Sequence, residues 1–233
     1  MLSRLSLLRA LNKRLLQIGA LAVAAFGAMA FAFGGWAVVT VDDLPQAFTV
    51  GQPTTIAFSI RQHGVKLLDG LRPTLVAEDE KGGAVEVTAS ATANGEGHYV
   101  AALTVPRPGK WSVTINTSFL NNRTKLYAIP AITAGQRVSD VDSPADLGQR
   151  LFVAKGCVGC HVHGAVTGYT AMNVGPNLTP KRYQADYLAK LLVDPSIART
   201  AGQQNQMPKL GLKPAEITAL VAFINADRQV SSR

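Results

Sequence analysis

Two cysteines three positions apart, with a histidine directly after the second, stand in the run Cys157-Val158-Gly159-Cys160-His161. Each thiol can add across a vinyl group of a porphyrin, and the spacing suits the two vinyls on one haem edge. The histidine then lands beneath the iron, so the run reads as an attachment site for one covalent haem c. Two other chemistries compete for the same residues. A redox-active Cys-x-x-Cys needs a βαβ setting and does not call for a histidine there. Half of a zinc site needs a second pair of cysteines, and the 233-residue chain has only these two. The same count excludes a disulfide scaffold unless the two pair with each other.

The elements that position this run are bounded by composition and charge. With 47% hydrophobic residues the chain can fill one large core or two small ones. The net charge of +8 is unevenly spread. Arg4, Arg9, Lys13 and Arg14 precede the first apolar run with no acid among them. Residues 15–133 are balanced, eight bases against eight acids, and residues 134–233 hold eleven bases against seven acids. No basic stripe with interleaved aromatics occurs, which argues against nucleic acid as a partner. No acid–base or nucleophile constellation points to a small-molecule substrate, so the chain reads as an electron carrier and not an enzyme.

From Leu15 to Val41 there is no charged residue, a run longer than the roughly 20 residues a helix needs to cross a bilayer. Ala28-Met29-Ala30 could end a cleavable signal peptide, but the run continues through Trp36, Ala37 and Val38. The expectation is a basic segment over 1–14 in the cytoplasm and a retained single-pass anchor over 15–39, with Trp36 at the far interface. The rest of the chain is then expected on the periplasmic or extracellular side of the cytoplasmic membrane.

Residues 40–131 change character. Thr54–Ile60, Ala84–Thr88, Tyr99–Val105 and Trp111–Asn116 alternate apolar and polar residues, the period of half-buried strands. Gly51-Gln52-Pro53, Asp69-Gly70, Lys81-Gly82-Gly83 and Asn94-Gly95 punctuate them. About seven short strands at this spacing predict a β-sandwich. The stretch carrying Gly97-x-Tyr99 and then Pro106-x-Pro108-Gly109-x-Trp111 resembles the immunoglobulin-like domains of the YtkA and FixH type, which implies a sandwich and no particular chemistry. A blue-copper or binuclear copper site needs a cysteine thiolate, and this segment has none. His63 and His98 read as loop histidines.

A polar connector over 132–143 leads to a final domain over 144–233 and is expected to let the two domains move against each other. Ser143 suits an N-cap with Pro144 at the first helical position, opening a helix toward Lys155. Gly148, Phe152, Gly156-Cys157-x-x-Cys160-His161, Gly175-Pro176-Asn177-Leu178, Met207-Pro208 and Leu220-x-x-Phe223-Ile224 occur in the order of the class I, or monohaem, cytochrome c family. The domain resembles that family over nearly its whole length. The resemblance implies an all-α fold in which the Pro176 carbonyl takes the His161 Nδ1–H, Leu178 packs on the haem face, and a histidine and a methionine bind the iron. Of the four methionines, Met1 and Met29 lie in or before the anchor, and Met172 follows His161 by eleven residues, too soon to reach the opposite haem face. Met207 lies beyond a whole expected helix, in a polar loop with no core to fill. His161 and Met207 are therefore the expected metal ligands, beside Cys157 and Cys160. Thr179-Pro180 is expected to cap the next helix, and Asp194-Pro195 to end it. Phe223 of the last helix is expected against Phe152 or Gly148. His163 reads as exposed, and Lys155, Lys209 and Lys213 as a possible basic rim for an acidic partner.

Together these readings give a multidomain chain: one N-terminal transmembrane helix, an all-β immunoglobulin-like sandwich and an all-α cytochrome c domain. The function they imply is transfer of single electrons through a His/Met-ligated haem, as a subunit of, or donor to, a respiratory complex such as a terminal oxidase. The β-domain would be a docking spacer. Other readings are a haem-based sensor or peroxidase-like enzyme, and a β-domain metal-binding or assembly module with an accessory cytochrome.

Overall fold

The computed structural model describes residues 35–93, 95–138, 142–172, 174–179, 181–198 and 207–226. Alternation of apolar and polar residues builds eleven strands among them, because successive side chains of a strand point to opposite faces. They are β1 (Ala37–Val41), β2 (Phe48–Thr49), β3 (Thr54–Gln62), β4 (Lys66–Leu67), β5 (Thr74–Asp79), β6 (Ala84–Thr88), β7 (Ser90–Ala91), β8 (His98–Leu103), β9 (Gly109–Asn116), β10 (Arg123–Lys125) and β11 (Ile129–Ile132). One sheet runs β1-β3-β8-β7 with β4 beside β3, and the other runs β2-β11-β9-β5-β6 with β10 beside β9. Every pairing is antiparallel except β11 with β2.

Ile56, Phe58 and Ile60 of the first sheet and Leu75, Val113 and Ile115 of the second are fully buried in one core. Its two largest side chains keep their polar ends satisfied. Trp111 donates from Nε1 to the Arg107 carbonyl at 3.1 Å, and the Tyr99 hydroxyl donates to the Leu68 carbonyl at 2.7 Å.

The start of this domain overturns part of the sequence reading. Residues 1–34 lie outside the described residues, and with them most of the anchor expected over 15–39. The last residues of that span form β1, paired with β3 in the register Val39↔Ile60. Trp36, expected at a membrane interface, meets the His63 ring with centroids 4.5 Å apart and planes inclined by 48°. Among the described residues no helix is long and apolar enough to cross a membrane. The expected architecture of a spanning helix, a sandwich and an all-α domain is thus corrected to a β-rich domain followed by a small helical region. The single-pass placement in the cytoplasmic membrane, with the later domains on its outer side, has no spanning helix behind it among the described residues.

Among the described residues three α-helices follow: α1 (Pro144–Ala154), α2 (Ala185–Val193) and α3 (Pro214–Ile224). Ser143 caps α1, its Oγ accepting from the Asp146 N–H at 3.2 Å. This satisfies one of the donors a helix start leaves free. The crossing of α1 and α3 depends on a missing side chain. A Cβ on Gly148 would stand 2.0 Å from the Ala219 carbonyl oxygen and 2.6 Å from Phe223 Cβ. That closeness lets Phe152 meet Phe223, centroids 5.5 Å apart and rings inclined by 58°. Helix α2 begins later than the sequence suggests. Thr179 does not cap it; its Oγ1 accepts instead from the Gly164 N–H at 2.6 Å, and the cap position falls at Gln184.

Candidate haem site

Helix α1 ends at Ala154 with Lys155 as its cap residue, and Gly156 follows with a φ of 79° in the left-handed region, where a residue with a Cβ is strained. From there the chain enters a single 3₁₀ turn over Cys157–Gly159. The Cys157 carbonyl accepts from the Cys160 N–H at 3.1 Å and the His161 N–H at 2.9 Å. One tight turn therefore carries both thiols and the imidazole.

The following loop is tied back onto this turn by three backbone bonds. Met172 donates to the Gly159 carbonyl, Gly175 to Cys160 and Leu178 to Val162, at 3.0, 3.0 and 2.8 Å. They bring Pro176 beneath the histidine, with its carbonyl oxygen 3.0 Å from His161 Nδ1. A carbonyl can only accept, so Nδ1 carries the proton and Nε2 keeps its lone pair. Gly175 makes that approach possible: a Cβ there would lie 2.4 Å from His161 Cε1, 2.6 Å from Nδ1 and 2.9 Å from Nε2.

The electrostatics keep these groups neutral in the polypeptide. Burial lowers the His161 pKa below its ordinary value against the opposing pull of the Pro176 carbonyl, and the neutral ring is the form that binds a metal. Burial, aided by the neighbouring Cys160, pushes the Cys157 thiol up to about 12, and burial raises Cys160 as well. The two cysteines are free of any disulfide. A ring fixed by a carbonyl on one nitrogen, the other nitrogen available, and two free thiols on the same turn are the donor set that covalent haem needs. The residues present fit the group.

The remaining sequence candidates separate. Leu178 is buried, and Met207 packs, partly buried, against the same core; residues 199–206 before it lie outside the described residues. Met172 is 47% exposed and is bound through its N–H to the motif's own turn. His163, expected in solvent, is buried. Its ring lies 4.3 Å from Phe223 and 6.0 Å from Phe152 between centroids, because α1 and α3 offer it an aromatic slot. Lys155 leaves the supposed basic rim. Its side chain is 4% exposed, with Nζ 2.8 Å from Glu216 Oε1 and 2.6 Å from the Asp42 carbonyl. Lys213 pairs with Asp43, and Lys209 is exposed. In the β-domain, no group of three His, Cys, Asp or Glu residues that could hold a metal occurs among the described residues.

Sequence reasoning used Gly175 only as part of the Gly175–Leu178 motif, without its contact with the His161 ring, and misplaced Lys155 and His163. The glycine directly before Pro176 was the available signal for the first. For the others the signal lay in distant partners, Glu216 and Phe223, which no local pattern reveals.

No curated protein matches the chain. Among solved structures, a superoxide reductase (neelaredoxin) from Ignicoccus hospitalis is 13% identical with a TM-score of 0.29, covering 45% of this chain and 87% of its own. CopC from Methylosinus trichosporium OB3b is 11% identical with a TM-score of 0.30, covering 43% and 99%. The PKD domain of human SorCS2 is 15% identical with a TM-score of 0.24, covering 44% and 76%. At these scores none bears on what the chain does. Residues 145–226 match the family model of cytochrome c, which supports a cytochrome c domain in the helical part of the chain and implies covalently bound haem c with its iron.

Proposed function

We propose that the chain passes single electrons between redox partner proteins, with Cys157 and Cys160 as thioether anchors and His161 and Met207 as the two axial ligands. A bound haem supplies the one-electron couple. The observation that carries the reading is the His161 ring, fixed by the Pro176 carbonyl at 3.0 Å and by the close backbone of Gly175. That hold presents Nε2 in one orientation and raises its strength as a ligand. Met207 supplies the second ligand from the partly buried segment that packs on the core. With His161 and Met207 as its two protein ligands the iron would offer no place for a substrate, and a His/Met pair would set a potential useful to an electron carrier. Leu178, buried beside the motif, would pack on the haem face. The additional β-domain supports a respiratory complex, such as a terminal oxidase, as the partner class.

Visible spectroscopy tests the ligand set. The ferric protein is expected to show the weak long-wavelength sulfur-to-iron charge-transfer band, and the reduced protein to ignore carbon monoxide. Met207→Ala should abolish the band and lower the midpoint potential. A reduced native protein that binds carbon monoxide, or a Met207→Ala protein with an unchanged potential, refutes the assignment.

A further inference from the structure

We infer that the β-domain is a wall of the haem site: strand β1 and the turn after β3 pack on one side of the half-buried Cys157–Cys160 segment, shield that side from solvent and so help set the haem potential. The inference deepens the electron-transfer reading and rests on it for its main readout.

Strand β1 is buried on both faces, and its period of two divides the work. Val39 and Val41 are fully buried in the β-domain core. Val38 and Thr40 face the other way, onto the haem segment. A Cβ on Gly156 would stand 2.4 Å from Val38 Cγ1 and 2.5 Å from the Val39 carbonyl oxygen, and one on Gly159 would stand 2.9 Å from Val38 Cγ2. The Thr40 hydroxyl donates to the Lys155 carbonyl at 3.4 Å, and Lys155 Nζ returns a bond to the Asp42 carbonyl at 2.6 Å. The turn after β3 closes the next side: a Cβ on Gly64 would lie 3.3 Å from Cys160 Sγ. Elsewhere along the junction Gln149 donates to the Tyr127 hydroxyl at 3.1 Å, and the Tyr169 hydroxyl donates to the Lys125 carbonyl.

Haem attachment chemistry places no demand on the residue at 159; the space taken by Val38 does. Three glycines, one on the β-domain and two on the haem segment, let the backbones touch where a side chain on either would hold them apart. The junction is therefore built into both partners. Its physical effect follows from charge. The oxidised haem site carries one more positive charge than the reduced site, and water stabilises that charge, so excluding water from this edge raises the potential.

A mutant cycle on the full haem-loaded chain tests the wall. Gly159 lies outside the left-handed region, so Gly159→Ala strains the protein only through its contact with Val38. Gly159→Ala is expected to lower both the midpoint potential and the urea midpoint of unfolding, and Val38→Ala to lower the potential by thinning the wall. In the Val38→Ala background most of the shift caused by Gly159→Ala should vanish. If Gly159→Ala alone fails to fold, recovery of the folded protein by adding Val38→Ala supports the wall, and failure in both backgrounds overturns it. A Gly159→Ala protein identical to the parent, or shifts that simply add in the double variant, also overturn it. Loss of the charge-transfer band in the parent, with the coupling between Val38 and Gly159 intact, would instead remove only Met207 from the ligand set.

Discussion

Replacing Lys155 by methionine tests how the cytochrome domain is tied to its neighbours. The change keeps most of the aliphatic stem and removes the charge. Its Nζ bridges Glu216 Oε1 at 2.8 Å and the Asp42 carbonyl at 2.6 Å, with side-chain exposures of 4% for Lys155 and 12% for Glu216. Removing one member of a buried ion pair costs about 3–5 kcal/mol, because the other charge is left without compensation. Glu216 keeps one partner, the Lys213 N–H at 2.9 Å, and some access to water, so the expected loss is near the lower end, about 3 kcal/mol. With a urea slope of about 2 kcal/mol/M, the unfolding midpoint should fall by about 1.5 M. Adding Glu216→Gln removes the orphaned charge while leaving an oxygen for the Lys213 N–H, and should restore most of the loss. A Lys155→Met effect within about 0.5 kcal/mol, the range for exposed positions, refutes the buried bridge. So does a loss that disappears in high salt, since screening acts on exposed charges far more than on buried ones.

Gly175→Ala places a Cβ within 2.4–2.9 Å of three His161 ring atoms. Ring and backbone must then separate by about 1 Å to reach ordinary contact, which breaks the 3.0 Å bond to Pro176. The haem-to-protein ratio and the charge-transfer band should both fall; an unchanged yield with an unchanged band would show that the ring is not held there. Asp79 gives the acid limb of stability. Its hydrogen bond to the Arg107 guanidinium, helped by the Gly83 and Lys81 N–H groups, holds its pKa at about 2. A depressed carboxylate stabilises the fold above its unfolded value of about 4, and that contribution is lost as the pH falls toward about 2. Asp79→Asn should flatten the decline of the urea midpoint over this window, and an equally steep decline in the variant would remove Asp79 as its source.

What the sequence disclosed about this fold depended on how local the cause was. Cys157, Cys160 and His161 announce themselves because covalent attachment demands adjacent residues at one spacing. Ser143 and Pro144 do so because a helix start is satisfied within its own first turn. The Phe152–Phe223 contact was also foreseeable, since Gly148 leaves a gap one helix turn away and the last helix carries a single phenylalanine. Lys155 and His163 were not. A lysine is solvated unless a carboxylate and a carbonyl meet it inside, and those come from α3 and from the end of β1. A histidine beside an attachment motif gives no sign that two phenylalanines from separate helices will enclose its ring.

The misreading of residues 36–39 has a more particular cause. Hydropathy measures preference for leaving water and is blind to whether lipid or protein receives the side chain. A strand exposed on one face would have alternated and betrayed itself, but β1 has protein on both sides. Val39 and Val41 enter the β core, Val38 meets Gly156 and Gly159, and Thr40 bonds to Lys155. A doubly buried strand reads as a continuous apolar run, and here it follows directly on an uncharged stretch that hides its beginning. The property that disguised β1 as the end of an anchor is the one that lets a single strand belong to two cores, with one face completing the β-domain and the other closing over the haem cysteines.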